Sequence, residues 1–522
     1  MNVNHNLFAA LRGGFPADLD GCAIETADGE SLRYTWRDLE RATAKLANLL
    51  ASLELPAGSR VAVQTEKSVE ALMLYLAVLR CGLVYVPLNT AYQAAEVEYF
   101  IGNAEPAVVV CSGRHFSWFS KIAFKAGTAH AFTLNEDRTG SLLQRAAHHS
   151  DRHVPAVKRA DDLAAILYTS GTTGRSKGAM LSHGNLLSNA LTLQSHWGWQ
   201  RGDVLIHVLP IFHVHGLFVA SHGALLNGSK MIWFSQFNAK AVAARLPEAT
   251  VFMGVPTLYV RLLAEPALTR DGCRAMRLFV AGSAPLLAET FNAWQQRTGH
   301  TILERYGMSE TVMLTSNPYW PADGERCAGT VGFPLPGVSL RVMNDQGSIC
   351  GVDDIGGIEV RGPNVFSGYW RMPEKTAEEF SVDASGQAWF KTGDVGKVNA
   401  GGVVTIVGRS KDLIITGGYN VYPAEIEGYL NEMPGVAESA VIGVPHADFG
   451  EAVVAVVVAR AGEAPDPAAL AGSLKSRIAN FKVPKRIFVV GELPRNAMGK
   501  VQKNLLRDQH RALFTAVSAV AV

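Results

Sequence analysis

From about residue 30 to residue 410, short apolar runs alternate with longer stretches of helical period, a rhythm that restricts the chain to a layered α/β body. Runs such as 60–64, 107–111 and 277–281 have the length of buried strands, while Trp36–Ala51 and 69–81 read as helices between them. Helical crossovers of this kind make the strands largely parallel. Between 331 and 408 glycines multiply and two-residue alternation takes over, as in Ile358-Glu359-Val360-Arg361, which predicts a small antiparallel sheet or barrel appended to the body. A second unit begins after Gly408-Arg409-Ser410-Lys411-Asp412, with a strand at 413–416, a helix opened by Pro423 and an apolar run at 440–444. The expected division is a body over residues 1–410 and a smaller mobile α+β domain over 411–522. Polar residues and the lack of a long linker at the junction suit a hinge.

Composition narrows the partners. The chain has 522 residues, 48% of them apolar and 18% charged, enough to bury a large core. Lys plus Arg is 48 against 47 for Asp plus Glu, and no long basic stretch offers a footprint for nucleic acid, so a small molecule is the expected ligand. Six cysteines lie far apart with no Cys-x-x-Cys pair, which argues against a disulfide framework or structural zinc and fits a reducing compartment. The N-terminus lacks a basic region followed by an apolar one, and no stretch approaches the roughly 20 apolar residues of a membrane span. A cytoplasmic protein without a membrane partner is expected; its oligomeric state is not legible.

The run Tyr168-Thr169-Ser170-Gly171-Thr172-Thr173-Gly174-Arg175-Ser176-Lys177-Gly178 follows an apolar strand directly. Its glycines permit backbone N–H groups to converge, its hydroxyls add donors, and Arg175 and Lys177 offset negative charge, a composition suited to a polyphosphate such as ATP. A Walker loop is excluded because Lys177 is followed by Gly178 where that loop needs Ser or Thr. The bland alternative is a glycine-rich hairpin turn.

With this loop, a series of distant motifs resembles the adenylate-forming superfamily of acyl-CoA synthetases, nonribosomal adenylation domains and luciferases. They are Gly282-Ser283-Ala284-Pro285-Leu286, Glu304-Arg305-Tyr306-Gly307-Met308-Ser309-Glu310-Thr311, Trp389-Phe390-Lys391-Thr392-Gly393-Asp394, Gly408-Arg409-Ser410-Lys411-Asp412, Gly417-Gly418-Tyr419-Asn420 with Pro423, Glu425 and Glu427, and Pro494-Arg495-Asn496-Ala497-Met498-Gly499-Lys500. All stand in the superfamily's order. The resemblance implies an ATP-dependent reaction with Mg2+ and coenzyme A, in which a carboxylate attacks the α-phosphorus of ATP and a thiol then takes the acyl group.

By the same resemblance, residues 169–177, 282–285 and 304–309, together with Asp394 and Arg409, hold ATP. Tyr306 would face the adenine and Asp394 the ribose hydroxyls, where a carboxylate accepts two hydrogen bonds. Glu310 is the implied Mg2+ ligand, in keeping with the preference of that ion for a few carboxylates beside phosphate and water. Lys500 is the implied catalytic cation, and Lys411 the implied hinge about which the C-terminal domain turns to bring Gly417, Gly418 and Tyr419 to the pantetheine arm of coenzyme A. Loss of the Lys500 charge on acetylation makes a lysine acetyltransferase a candidate partner.

Within the superfamily the chain is similar to malonyl-CoA synthetases, from about Asn6 to Leu506. That likeness assigns Arg261, in Pro256-Thr257-Leu258-Tyr259-Val260-Arg261, to the far carboxylate of a dicarboxylate substrate, for which a guanidinium fork is well shaped. Without it, Arg261 reads as a solvated helix residue. His213 and Met308 are expected to line the acyl pocket and His207 to contact substrate. His207, His213 and His215 also read as alternate residues on one strand face, with zinc or a satisfied core histidine as the other readings. Methylmalonate or another short acid, and a carrier-loading adenylation module, are the alternatives. Ser309 stands where the superfamily usually has threonine, and the aromatic segment 113–126 has no family reading.

Overall fold

The computed structural model describes residues 4–169, 176–417, 419–446, 448–496 and 499–514, and every count or absence given below is of those residues. The helix Val69–Arg80 explains the core best, because all twelve of its residues are buried. It is apolar all round, as a helix enclosed on every side must be. Its one basic residue, Arg80, is satisfied by Glu40, the Thr43 hydroxyl and the His153 carbonyl. Helices Leu7–Gly13 and Trp36–Ala51 pack on it, His183–His196 and Ser221–Asn227 pack on the first of these and on each other, and all share one continuous core with two sheets.

The first sheet has nine strands in the order Phe333–Pro334, Thr315–Ser316, Leu303–Tyr306, Leu278–Ala281, Val251–Gly254, Val204–His207, Lys230–Trp233, Cys22–Thr26 and Arg33–Thr35. Its central strands are parallel and its margins antiparallel. The second has six strands, His130–Thr133, Val108–Cys111, Arg60–Gln64, Val84–Pro87, Leu163–Thr169 and Lys177–Ser182, and only its last pair is antiparallel. The segment 113–126, unread in the sequence, forms a 3-10 turn and the helix Phe116–Lys125, which buries Phe119 and Ala123 against this sheet.

Between them and the C-terminal unit lies a five-stranded antiparallel sheet containing Ala388–Val398 and Val404–Arg409, in the region where two-residue alternation predicted one. The final five-stranded sheet, built on the hairpin Val436–His446 and Gly450–Ala459, buries separate apolar clusters on its two faces. Arg460, directly after the strand Gly450–Ala459, grips Glu289 of the body through two hydrogen bonds of 3.0 and 2.8 Å. No helix is long and apolar enough to cross a membrane among the described residues.

One local expectation is corrected. His207, His213 and His215 do not share a strand, because the strand ends at His207 and Pro210, which cannot donate a ladder hydrogen bond, follows within three residues. From His215 to Ala220 the chain forms a π-helical turn.

Candidate active site

The C-terminal ends of Leu163–Thr169, Leu278–Ala281 and Leu303–Tyr306 supply the first residues of the site. In open α/β sheets this is the end at which ligands bind. Gly282 through Leu286 leave the second of these strands, with Ser283 at a φ of +72°, and the Leu286 N–H donates to Glu304 Oε1 at 3.2 Å. After Tyr306 the chain folds back on itself. A side chain at Gly307 would place its Cβ 1.9 Å from the Val312 carbonyl oxygen, so only glycine permits the turn. The turn carries Met308, Ser309 and Glu310 and is fixed by the bond from the Phe366 N–H to the Glu310 carbonyl at 2.8 Å.

The antiparallel sheet closes the site from another side. Asp394 and Arg409 are cross-strand partners, joined by an ion pair of 2.7 Å, and Asp394 Oδ2 accepts the Tyr306 hydroxyl at 2.5 Å. Asp394 is 3% exposed; burial pushes its carboxyl upward while Arg409 and Tyr306 pull it down. Glu310, 4% exposed, accepts the Tyr369 hydroxyl at 3.0 Å and that of Thr169 at 3.5 Å, and burial raises its carboxyl as well. No lysine or arginine forms an ion pair with Glu310 among the described residues. A desolvated carboxylate with hydroxyl neighbours and no ion-pairing cation fits a Mg2+ ligand.

Lys177 is already engaged, paired with Glu379 at 3.0 Å and lying 4.2 Å over the Tyr369 ring. The Ser176 carbonyl accepts the Tyr99 hydroxyl at 2.6 Å. Ser170, Gly171, Thr172, Thr173, Gly174 and Arg175 of the phosphate run lie outside the described residues, as does Gly418. Gly417 has a φ of +57°, and the exposed ring of Tyr419 stacks on Phe481 at 4.6 Å.

The loop bearing Lys500 comes from the far end of the chain. It docks on the helix Pro256–Leu263, where the Cβ position of Gly499 is 3.3 Å from Thr257 Oγ1. Lys500 keeps solvent-exposed surface, yet the protein crowded about its ammonium, with Arg409 and Arg305, pushes it down to about 8, while Asp394 and Glu310 pull upward. Arg261 stands one turn beyond Thr257 on the same helix face and is exposed. Neither hydrogen bond nor ion pair holds it among the described residues.

The histidines divide. His207 is buried, stacked on Trp233 at 4.5 Å, with Nε2 at 3.1 Å from both the Gly216 carbonyl and Ser221 Oγ. His215 Nδ1 lies 3.5 Å from Ser283 Oγ. His213 is pushed down to about 3 by burial and then by Lys500 and Arg305, and is therefore neutral.

Sequence reasoning missed Tyr369, Glu379 and Thr257. They hold Glu310, Lys177 and the Lys500 loop, and each meets its partner through the tertiary fold, so no local signal marks them.

The chain belongs to the AMP-binding enzyme family: the AMP-binding enzyme profile matches residues 20–370, and that of the AMP-binding enzyme C-terminal domain matches 425–500. It is 53% identical to MatB from Rhodopseudomonas palustris, over 98% of this chain and 100% of that one, with a TM-score of 0.93 to the ATP-bound crystal structure. Against apo MatB, at the same identity and coverage, the TM-score is 0.83, so the arrangement here is nearer the ATP-bound one. A malonate–CoA ligase of Arabidopsis thaliana is 35% identical over 482 residues, 86% of this chain and 78% of the relative. The human mitochondrial malonate–CoA ligase is 34% identical over 522 residues, 92% and 88% of the two chains.

Proposed function

We propose that this chain is a cytoplasmic acid–CoA ligase that converts malonate, ATP and CoA to malonyl-CoA, AMP and pyrophosphate through a malonyl-adenylate. The observation that carries the reading is the docking of the Lys500 loop onto the helix Pro256–Leu263, within electrostatic reach of Asp394, Arg409 and Glu310. Malonate itself is inferred from the relatives named for it.

In this reading the chain's groups divide the work. Tyr306 and the backbone of 282–285 flank the adenine, Asp394 and Arg409 hold the ribose, and the 169–177 run wraps the phosphates. Glu310 would hold Mg2+, which supplies charge neutralisation at the triphosphate when bound. Lys500 balances the charge that grows between the attacking carboxylate and the α-phosphate, the kind of contact that acts in the transition state. Arg261 meets the far carboxylate from the rim, with His213, Met308 and His207 on the acyl side. For the second half-reaction the C-terminal domain turns about Lys411, withdraws Lys500 and brings residues 417–419 to the pantetheine thiol.

Pyrophosphate release measured across malonate, methylmalonate, acetate, butyrate and benzoate tests the assignment. Malonate is expected to give the highest kcat/KM, with methylmalonate next because a methyl group is typically worth only about 1–3 kcal/mol of discrimination. A monocarboxylate preference rejects malonate. Release of ADP and orthophosphate rejects the ligase reading altogether.

A further inference from the structure

We propose that Tyr369 is a positioning residue of the metal site: by occupying one oxygen of Glu310 it leaves that carboxylate a single oxygen to offer, and so makes the site select Mg2+ over Ca2+. This role rests on Glu310 being the Mg2+ ligand, as in the reading above.

The Tyr369 hydroxyl donates to Glu310 Oε1 at 3.0 Å, and the Thr169 hydroxyl reaches the same oxygen at 3.5 Å. Glu310 Oε2 receives no hydrogen bond from another residue among the described ones. Each carboxylate oxygen has two lone pairs, so two hydroxyl donors fill Oε1 and Oε2 is the oxygen left for a cation. The last torsion of a glutamate is broad, and a carboxylate held by nothing would turn either oxygen, or both, toward an ion. The phenol stops that swing. Its face also carries the Lys177 ammonium, 4.2 Å from the ring centre, so one ring places both the carboxylate and a cation of the phosphate run.

Tyr369 can act in this way because its own place is fixed from several sides. It is 4% exposed, its N–H donates to Thr376 Oγ1 at 2.8 Å, and its ring meets that of Phe366 edge-on at 4.9 Å. Its segment runs antiparallel along the strand Lys177–Ser182, with the Met180 N–H bonded to the Gly368 carbonyl at 3.0 Å and the Trp370 N–H to the Gly178 carbonyl at 2.7 Å. Trp370 fastens the segment to the helix Ala94–Ala104, where its Nε1–H donates to the Asn103 carbonyl at 3.0 Å. This segment holds Glu310 twice, by main chain through the Phe366 N–H and by side chain through Tyr369. The two ions ask different things of such a carboxylate. Mg2+ is small, demands near-octahedral geometry and takes few protein oxygens beside water and phosphate, whereas Ca2+ accepts more ligands and readily uses both oxygens of one carboxylate. A carboxylate with one oxygen spent on hydroxyls suits the first ion and denies the second its bidentate contact. Hydrogen-bonded partners of a metal ligand are typically worth about 10–100-fold in metal affinity.

The test titrates α,β-methylene-ATP, which cannot be split at the α-phosphate, into the wild type, Tyr369→Phe and Glu310→Gln with Mg2+, with Ca2+ and with no divalent ion. Calorimetry gives each Kd, and the melting temperature of each unliganded protein is measured in parallel. Tyr369→Phe keeps the ring beneath Lys177 and removes only the hydroxyl. It is expected to weaken binding in Mg2+ by about 10-fold and to change binding in Ca2+ or without an ion by less than about 2-fold, so that the preference for Mg2+ over Ca2+ falls. In pyrophosphate release the same variant should need about 10-fold more Mg2+ for its half-maximal rate and recover its kcat at saturating Mg2+. A loss of equal size in all three conditions is a packing defect and overturns the proposal, as does an unchanged ratio of Mg2+ to Ca2+ binding. If Glu310→Gln keeps the wild-type preference for Mg2+, the reading of Glu310 as the ligand fails and the proposal with it. If Glu310→Gln loses that preference while Tyr369→Phe keeps it, only the role of Tyr369 fails. Should Tyr369→Phe not fold, Thr169→Val, which strips the other hydroxyl from the same oxygen, takes its place: a lowered ratio supports the one-oxygen arrangement and an unchanged ratio overturns it.

Discussion

The ammonium of Lys500 is held between opposed influences. Crowding and the guanidinium of Arg409 push its proton off near pH 8, and Asp394 and Glu310 keep it on. A cation in that position acts only while protonated, so the sign of the pH dependence follows: adenylate formation should fall as pH rises through about 8. Thioester formation from supplied malonyl-adenylate should lack that falling limb, because the proposed domain alternation withdraws Lys500 before that step. Lys500→Ala should slow adenylate formation by about 10²–10³, the usual cost of removing one preorganised donor, with a far smaller effect on the second half-reaction. Quench-flow measurement of each half-reaction separately checks both statements, and equal losses in the two would remove the role assigned to Lys500. The sequence makes this lysine visible only through its glycine-flanked motif. What tunes it is invisible there, since Arg409 and Asp394 are about a hundred residues away and Glu310 farther still.

At the level of elements, the tight return after Tyr306 positions the chemistry more than any single side chain does. Gly307 lies against backbone atoms, the Val312 oxygen and the Met313 Cα at 2.8 Å, which cannot swing aside as a flexible side chain would. Gly307→Ala should therefore reopen the turn that carries Glu310, destabilising the fold by about 1–3 kcal/mol, the usual cost of overpacking. Its effect on pyrophosphate release should exceed that on folding, and denaturant titration beside the activity assay separates the two. The strands and helices around this turn were legible wherever a run was long and apolar: Arg60–Gln64 and Trp36–Ala51 fall at the positions read from the sequence. Short polar-rich pieces were not. The histidine run looked strand-like through its alternation, yet Pro210 and the π-turn after His215 broke the register, a tertiary outcome that period-two counting does not detect. Thr169 and Tyr369 likewise converge on Glu310 from opposite parts of the body, and the sequence offers no means to pair them.

For the whole molecule, the C-terminal sheet has apolar clusters of its own, and the described contacts that hold it to the body include the polar Arg460–Glu289 pair and the Gly499–Thr257 approach. Exposed ion pairs of this kind contribute little to stability, which suits the domain alternation proposed above. The junction runs through the short 3-10 turn Ser410–Asp412, where Asp412 is tied to Arg507 of the final helix, so Asp412 belongs with the C-terminal unit. In the domain alternation proposed above, rotation falls on the few dihedrals at and before Lys411. Proline fixes φ near −65° and also restricts the residue ahead of it, so Lys411→Pro removes the freedom such a rotation uses. The variant is expected to lose overall malonyl-CoA formation by at least about 10-fold while retaining whichever half-reaction its locked arrangement serves, since hinge substitutions act on the step that needs the motion. Single-turnover assays of adenylate formation and of thioester formation from supplied adenylate decide the matter. A proline variant with full overall turnover would place the hinge elsewhere, because in the proposed alternation one frozen arrangement cannot bring both Lys500 and residues 417–419 to the same site.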